Sequence, residues 1–314
     1  MKTFLVFLFA SALTTIAFAQ NPDKALARVR YSFVHLRDTT AKDKPHTENM
    51  LLVIGKNASV YTSYDKLNSD LEMQKQIQEQ LKNQAGSGQM SIKLEKKSSK
   101  ILSETDYFYF ANEHKLITKE RLFNNYLVEE DAPKINWKIT KDTASFSGIK
   151  CQKAIAYFKG RNWIAWYATE LPFQSGPWKL NGLPGLIVEA YDDKKEVQFL
   201  FAGMENVKEE EAITADKKGP EIVVPGVIGN VKLVGMDLGS PYLGTAIKLP
   251  TEAVKTTKKD FDKLKEARDK DPQGFMNAQM AASGVQFGGV RQSGTIRTTP
   301  QNIINNPIEL PEKP

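Results

Sequence analysis

Two apolar runs joined by a short stretch of turn-forming residues constrain this chain more than any other feature. Gly148–Phe158 reads GIKCQKAIAYF, Asn162–Pro172 reads NWIAWYATELP, and Lys159-Gly160-Arg161-Asn162 joins them. In the second run Trp163, Ala165 and Tyr167 alternate with Ile164, Trp166 and Ala168. A period of two marks a strand, and apolar residues on both faces mark a strand covered on both sides. The pair reads as an antiparallel hairpin, with Arg161 in its loop and therefore in solvent.

The same period recurs along the chain. ARVRYSFVHLR places Val29, Tyr31, Phe33 and His35 on one face. NMLLVIGKNASVYTSY reads as two strands around Gly55-Lys56-Asn57, a turn that Gly and Asn favour. The run from Thr105 to Asp131 adds two or three strands around a polar turn at Ala111-Asn112-Glu113, and INWKIT continues the pattern. EVQFLF sets Val197, Phe199 and Phe201 to one side.

Helices are fewer. SDLEMQKQIQEQLKNQAG opens with Ser69 and Glu72 at capping-box spacing, carries Met73, Ile77 and Leu81 as a stripe, and stops at Gly86. TKKDFDKLKEARDKD turns Phe261, Leu264 and Ala267 inward, and Pro272, with Asp271 as N-cap, starts a short third segment. The fold expected is mainly β (α+β). It is a single curved antiparallel sheet or open half-barrel with two or three packed or capping helices.

The stretch GPWKLNGLPGLIVEAYD, Gly176–Asp192, sets dense turn chemistry before an apolar strand. Pro184-Gly185 suits the centre of a type II turn, with positive φ at Gly185, and Asn181-Gly182 is a second turn dipeptide. Gly182, Pro184 and Gly185 are thus structural turn residues. Trp178 and Leu183 either plug the open end of the sheet or form the lip of a ligand groove.

The chain starts MKTFLVFLFASALTTIAFAQ, a Lys, an apolar core and Ala17-Phe18-Ala19, which is the pattern of a signal peptide over residues 1–19. Residues 20–283 then read as one β-rich domain. Residues 284–301 are a Gly/Ser/Thr/Gln-rich flexible segment, and residues 302–314 hold a possible edge strand at Ile308 and Leu310. One cysteine, Cys151, excludes an intrachain disulfide. It reads as a small buried apolar residue that points with Ile155 into the core. The net charge of +6 comes from Lys and Glu mixed along the chain, which does not suggest nucleic-acid binding.

Chemistry is sparse. His35, His46 and His114 have no partners at metal-ligand spacing, and neither a metal nor a cofactor is expected. Hydrolase, zincin, P-loop and Rossmann motifs are missing. Glu189 and Asp192 fall on opposite strand faces, so no catalytic pair is assigned. The binding candidates are Trp163, Trp166, Trp178 and Leu183.

CQKAIAYFKGRNWIAWYATELPFQSGPWKLNGLPGLIVEAYD, with the hexapeptide Gly182–Ile187 inside it, resembles the core of the GLPGLI family of exported Bacteroidetes proteins. LLVIGKNASVY and the terminal NNPIEL look like further family positions. The order of elements is also similar to the half-barrels of periplasmic lipoprotein carriers. The resemblance supplies no catalytic residues. It implies an envelope or secreted protein near a TonB-dependent outer-membrane receptor. The function expected is binding of an apolar ligand or a partner protein rather than catalysis, with a peptidase-like hydrolase and a purely structural accessory as the alternatives.

Overall fold

The structure is a computed structural model that describes residues 22–84, 100–207, 244–282 and 304–312. The expected signal peptide and the 284–301 segment lie outside these residues, as does Gly86.

The chain enters the sheet through β1 (Asp23–Lys24), β2 (Ala27–His35), β3 (His46–Ile54) and β4 (Ala58–Ser63). After helix α1 (Tyr64–Gln84) follow β5 (Asp106–Phe110), β6 (Lys115–Arg121) and β7 (Asn125–Asp131). Next come β8 (Lys138–Phe146), β9 (Ile149–Phe158), β10 (Arg161–Ala168), β11 (Leu186–Asp192) and β12 (Val197–Asn206). Short strands β13 (Ala246–Ile247) and β14 (Val254–Thr256) precede helices α2 (Lys258–Lys270) and α3 (Pro272–Ala282).

Twelve strands form one open, curved sheet, ordered β14-β7-β6-β5-β4-β3-β2-β12-β11-β10-β9-β8. Two meanders meet where β12 pairs with β2, and only β14 on β7 is parallel. The mainly β expectation therefore holds, as an open sheet rather than a closed barrel. The free edge at β8 carries a register break between Ile139 and Thr143, a bulge of the kind that blunts an edge against further pairing.

Period-two alternation builds two cores on opposite faces. Val29, Tyr31 and Phe33 of β2 join Leu52, Tyr61, Trp163, Ala165 and Phe199 on the inner face. Leu51, Val53, Val60 and Phe108 point the other way, where Leu67 of α1 covers them. Helix α2 docks Phe261 on Tyr126 and Val128 of β7.

Several local expectations are corrected. α1 begins after Ser63, not Ser69, because the hydroxyl at the end of β4 accepts the Lys66 N–H and caps the helix there. Asp271 does accept the Gly274 N–H as expected. Ala267 is exposed, since the apolar contact of α2 with the sheet is made by its first turns, at Phe261 and Leu264. Strand β10 is covered fully only on its inner side, and Ile164 and Trp166 on the outer side are half-buried. The described C-terminal residues form no edge strand. Residues 304–312 cross the strand ends as a strap, held by Asn306 N–H to Arg37 O and Leu310 N–H to Lys159 O.

Cys151 is buried as expected, but Ile155, on the same side of β9, is 36% exposed. β9 register places Gln152, Ala154 and Ala156 opposite Tyr167, Ala165 and Trp163 on the inner face, so Cys151 and Ile155 both lie on the outer side, which is covered at Cys151 and open at Ile155. Burial, with Glu189 nearby, pushes the thiol up to about 11. Native Cys151 is therefore expected to react with a thiol reagent at least ~100-fold more slowly than in urea. Equal rates in the two states would contradict this burial.

Candidate functional site

The loop between β10 and β11 is folded into the sheet rather than around it. Leu171 O accepts from Leu186 N–H, and Ser175 O from Ile187 N–H, which lashes the loop to the start of β11. Trp178 is 5% exposed and Leu183 1%. The Trp178 ring lies 5.8 Å from Phe158 and 5.6 Å from Trp163, which in turn stacks on Phe199 at 6.0 Å. Leu183 and Trp178 thus occupy core positions, with Trp163 fully buried beneath them. Trp166 sits apart, on the outer face against Phe146.

The turn chemistry differs from the type II expectation. Gly182 has φ +87°, whereas Gly185 is not in the left-handed region. Leu183 O accepts directly from Gly185 N–H at 2.8 Å, a three-residue turn centred on Pro184. Gly185 is required for another reason. A Cβ there would lie 2.2 Å from Ala168 O, because the two chain segments touch backbone to backbone. Trp178 itself has φ +56°, a strained state for a bulky residue that its buried ring must hold.

Beside Trp178 a narrow crevice, with an enclosed space of only about 10 Å³ and so room for about one water molecule, opens over β4, β5 and β6. Pairing aligns Leu52, Tyr61 and Tyr107 in one row across its floor. Ser59, Tyr109 and Leu116 form the next row. Gly176, Trp178, Leu180 and Asn181 of the loop supply the remaining wall. Tyr61 is 3% exposed, and its hydroxyl has no hydrogen-bond partner among the described residues. Tyr107 is hydrogen-bonded by the Trp178 side chain, and burial, with Glu120 and Glu309 close by, keeps its hydroxyl strongly protonated.

Sequence reasoning found Trp178 and missed the tyrosines. Tyr61, Tyr107 and Tyr109 alternate with apolar residues, so each reads as an ordinary strand position. Only the register sets them side by side.

A polar knot closes the far end of the sheet. Arg161, expected in solvent, is 3% exposed. The loop is only Lys159-Gly160, both at positive φ, so Arg161 is the first residue of β10. Its guanidinium donates to Asp192 at 2.7 Å, Glu196 at 3.2 Å and Asn306 Oδ1 at 2.6 Å. It also donates to the carbonyls of Pro307 and Ile308. Asp192 accepts from Val197 N–H as well, while Glu189 lies on the other face, as strand spacing implied. The strap is tied to the loop through Glu309, which accepts from Lys179 Nζ at 2.6 Å.

His35 donates from Nε2 to Asn306 O at 2.7 Å, and burial lowers its imidazole to about 4. The unfolded chain takes up this proton near the ordinary value of 6.5 and the folded chain does not, so stability is lost as pH falls from 6.5 towards 4. His35→Gln keeps an N–H donor and removes the titration. Its melting temperature is expected to stay flat between pH 6.5 and 5, where that of the wild type falls. Parallel declines would contradict the assignment.

The second polar cluster is centred on buried Glu48. It accepts from Ser103 N–H at 2.8 Å, Ser103 Oγ at 2.7 Å and the Ser63 hydroxyl, and pairs with His46 at 3.0 Å. Burial raises its carboxyl, but the bonds from His46, Ser63 and Ser103 outweigh that and bring it to about 2. A carboxylate with both oxygens engaged is a poor general base at neutral pH. No group of three or more His, Cys, Asp or Glu that could hold a metal is found among the described residues. No helix among them is long and apolar enough to cross a membrane.

An open β-sheet that carries its own core-filling loop, with an aromatic cleft beside that loop, is the class defined by this geometry. A family model described as "Protein of unknown function (Porph_ging)" matches residues 93–189, which include β5–β10, the loop and the start of β11. No curated protein matches the chain. Two solved structures, described as "Structure of PNGF-II in P21 space group" and "Structure of PNGF-II in C2 space group", are similar at 10% and 13% identity, with TM-scores of 0.40 and 0.39. Each match covers 59% of this chain, which spans only 29% and 28% of those chains.

Proposed function

We propose that this chain is an exported, non-catalytic binding protein of the GLPGLI type, and that it holds an apolar ligand in the cleft beside Trp178. One observation carries the reading: Tyr61, whose buried hydroxyl has no partner among the described residues, lines an aromatic crevice that reaches solvent. A packed core gains nothing from such a group, whereas a binding site uses it. The strained Trp178 beside it supports the same reading, since backbone strain collects at ligand sites. Glu48, with its oxygens already engaged, gives the hydrolase alternative little support.

In this proposal the signal sequence exports the protein, which is periplasmic, secreted or associated with the outer membrane beside a TonB-dependent receptor, with residues 20–283 as one domain. Intact mass of the exported protein is the check on cleavage after Ala19.

The cleft is tested with N-phenyl-1-naphthylamine, a neutral dye that brightens in apolar surroundings. Wild-type protein is expected to bind it saturably, and Tyr109→Ala, at the half-buried mouth, about tenfold more weakly. A wild type that does not bind the dye, or a variant that binds equally well, would remove the proposal.

A further inference from the structure

The strap is fastened to the strand ends from Asn305 to Leu310, and most of its fastenings involve ionisable groups. Asn305 donates to Asp38 at 2.8 Å. Asn306 accepts from His35 at 2.7 Å and donates to Glu196 at 3.2 Å. Arg161, balanced by Asp192 and Glu196, donates to Asn306, Pro307 and Ile308. Glu309 pairs with Lys179 at 2.6 Å and Lys159 at 3.4 Å. Three further bonds, to the carbonyls of Leu36, Arg37 and Lys159, involve no ionisable group. His35 stands where these fastenings meet. It pairs in register with Val197 of β12 and with His46 of β3, which is itself committed to Glu48. A proton on its ring adds a positive charge that faces Arg37, Arg161 and His46. The carboxylates around it are already engaged: Glu48 by His46, Ser63 and Ser103, Asp192 and Glu196 by Arg161, and Asp38 by Thr40 and Asn305.

We infer that the strap is an acid-released latch, which lifts from the strand ends while the sheet stays folded. Lifting returns His35 to water, and its imidazole from about 4 to the ordinary 6.5, so the lifted state gains the proton and docking weakens as pH falls from 6.5 towards 4. Asp38, lowered by the bonds from Thr40 and Asn305, and Glu309, whose burial is outweighed by Lys179 and Lys159, let go only at lower pH. The sheet is held by main-chain pairing and two apolar cores, and Glu48, at about 2, stays ionised over the same range. Release of the strap also breaks the Glu309–Lys179 pair and so unties the loop that carries Trp178.

Amide hydrogen exchange of the full chain, read by mass spectrometry at pH 7 and pH 5 and corrected for the intrinsic change of rate with pH, measures the latch. The strap, residues 304–312, is expected to open up to about twentyfold more often at pH 5, the ratio set by values of 6.5 and about 4. The loop at residues 176–185 should follow it, while β3 and β10 keep their protection. His35→Gln, which retains an N–H for the Asn306 carbonyl and removes the titration, should hold the strap equally at both pH values. The wild-type comparison decides without the variant: a change below ~twofold in the strap, or an equal loss of protection in β3 and β10, would overturn the latch. So would an acid response of the strap that persists undiminished in His35→Gln.

Discussion

Arg161→Ala is expected to lower the unfolding free energy by about 4 kcal/mol, the scale of breaking a buried ion pair from one side. Every N–H direction of this guanidinium is engaged. It holds two carboxylates, an Asn side chain and two strap carbonyls. Truncation leaves Asp192, which is almost fully buried, with only the Val197 amide to offset its charge. It also frees the carbonyls of Pro307 and Ile308 and so loosens the strap. Arg161→Lys keeps the charge but presents a compact ammonium in place of the planar fork, so it should recover only part of the loss. Urea unfolding measures both variants. A loss below ~1 kcal/mol for Arg161→Ala would show that the knot does not hold the fold.

Gly185→Val is expected to cost about 3 kcal/mol or more, at the upper end for overpacking. The new side chain would meet Ala168 O at 2.2 Å, Ala168 C at 2.8 Å and Thr169 Cα at 3.2 Å. These are backbone atoms and cannot rotate away. Relief requires the loop to lift, which would pull Leu183 and Trp178 from the core. Gly148→Ala is the matching control. Gly148 has φ +86° but open space around it, so only the conformational penalty of about 1 kcal/mol applies. If the two substitutions cost the same in thermal melts, close approach is not what requires Gly185.

Local pattern carried much of this fold. The inward faces of β2 and β10 follow from period two alone, and so do the hairpins at Gly55-Lys56-Asn57 and Lys159-Gly160. What the sequence hides depends on partners distant in the chain. Arg161 reads as a loop residue because its partners lie 31 to 147 positions away. Gly185 carries the right turn residue for a reason local dihedral rules do not contain, the passage of Ala168 beside it. Ser63 ends a strand and caps a helix at once, so the capping-box pattern at Ser69 competes with it and misplaces the helix start. Ile155 and Trp166 look like core residues on β9 and β10, yet the register turns them to the outer side, which the described residues cover only in part. The cleft depends on the register of three strands, and no single segment encodes it.

Backbone amide shifts of the isotope-labelled protein titrated with N-phenyl-1-naphthylamine test the binding site most directly. The expected perturbations centre on Tyr61, Tyr107, Tyr109, Leu116, Trp178 and Asn181, saturate together, and vanish in Tyr109→Ala. Perturbations centred instead on the outer face of β9 and β10, at Ile155, Tyr157 and Trp166, would contradict a binding cleft beside Trp178.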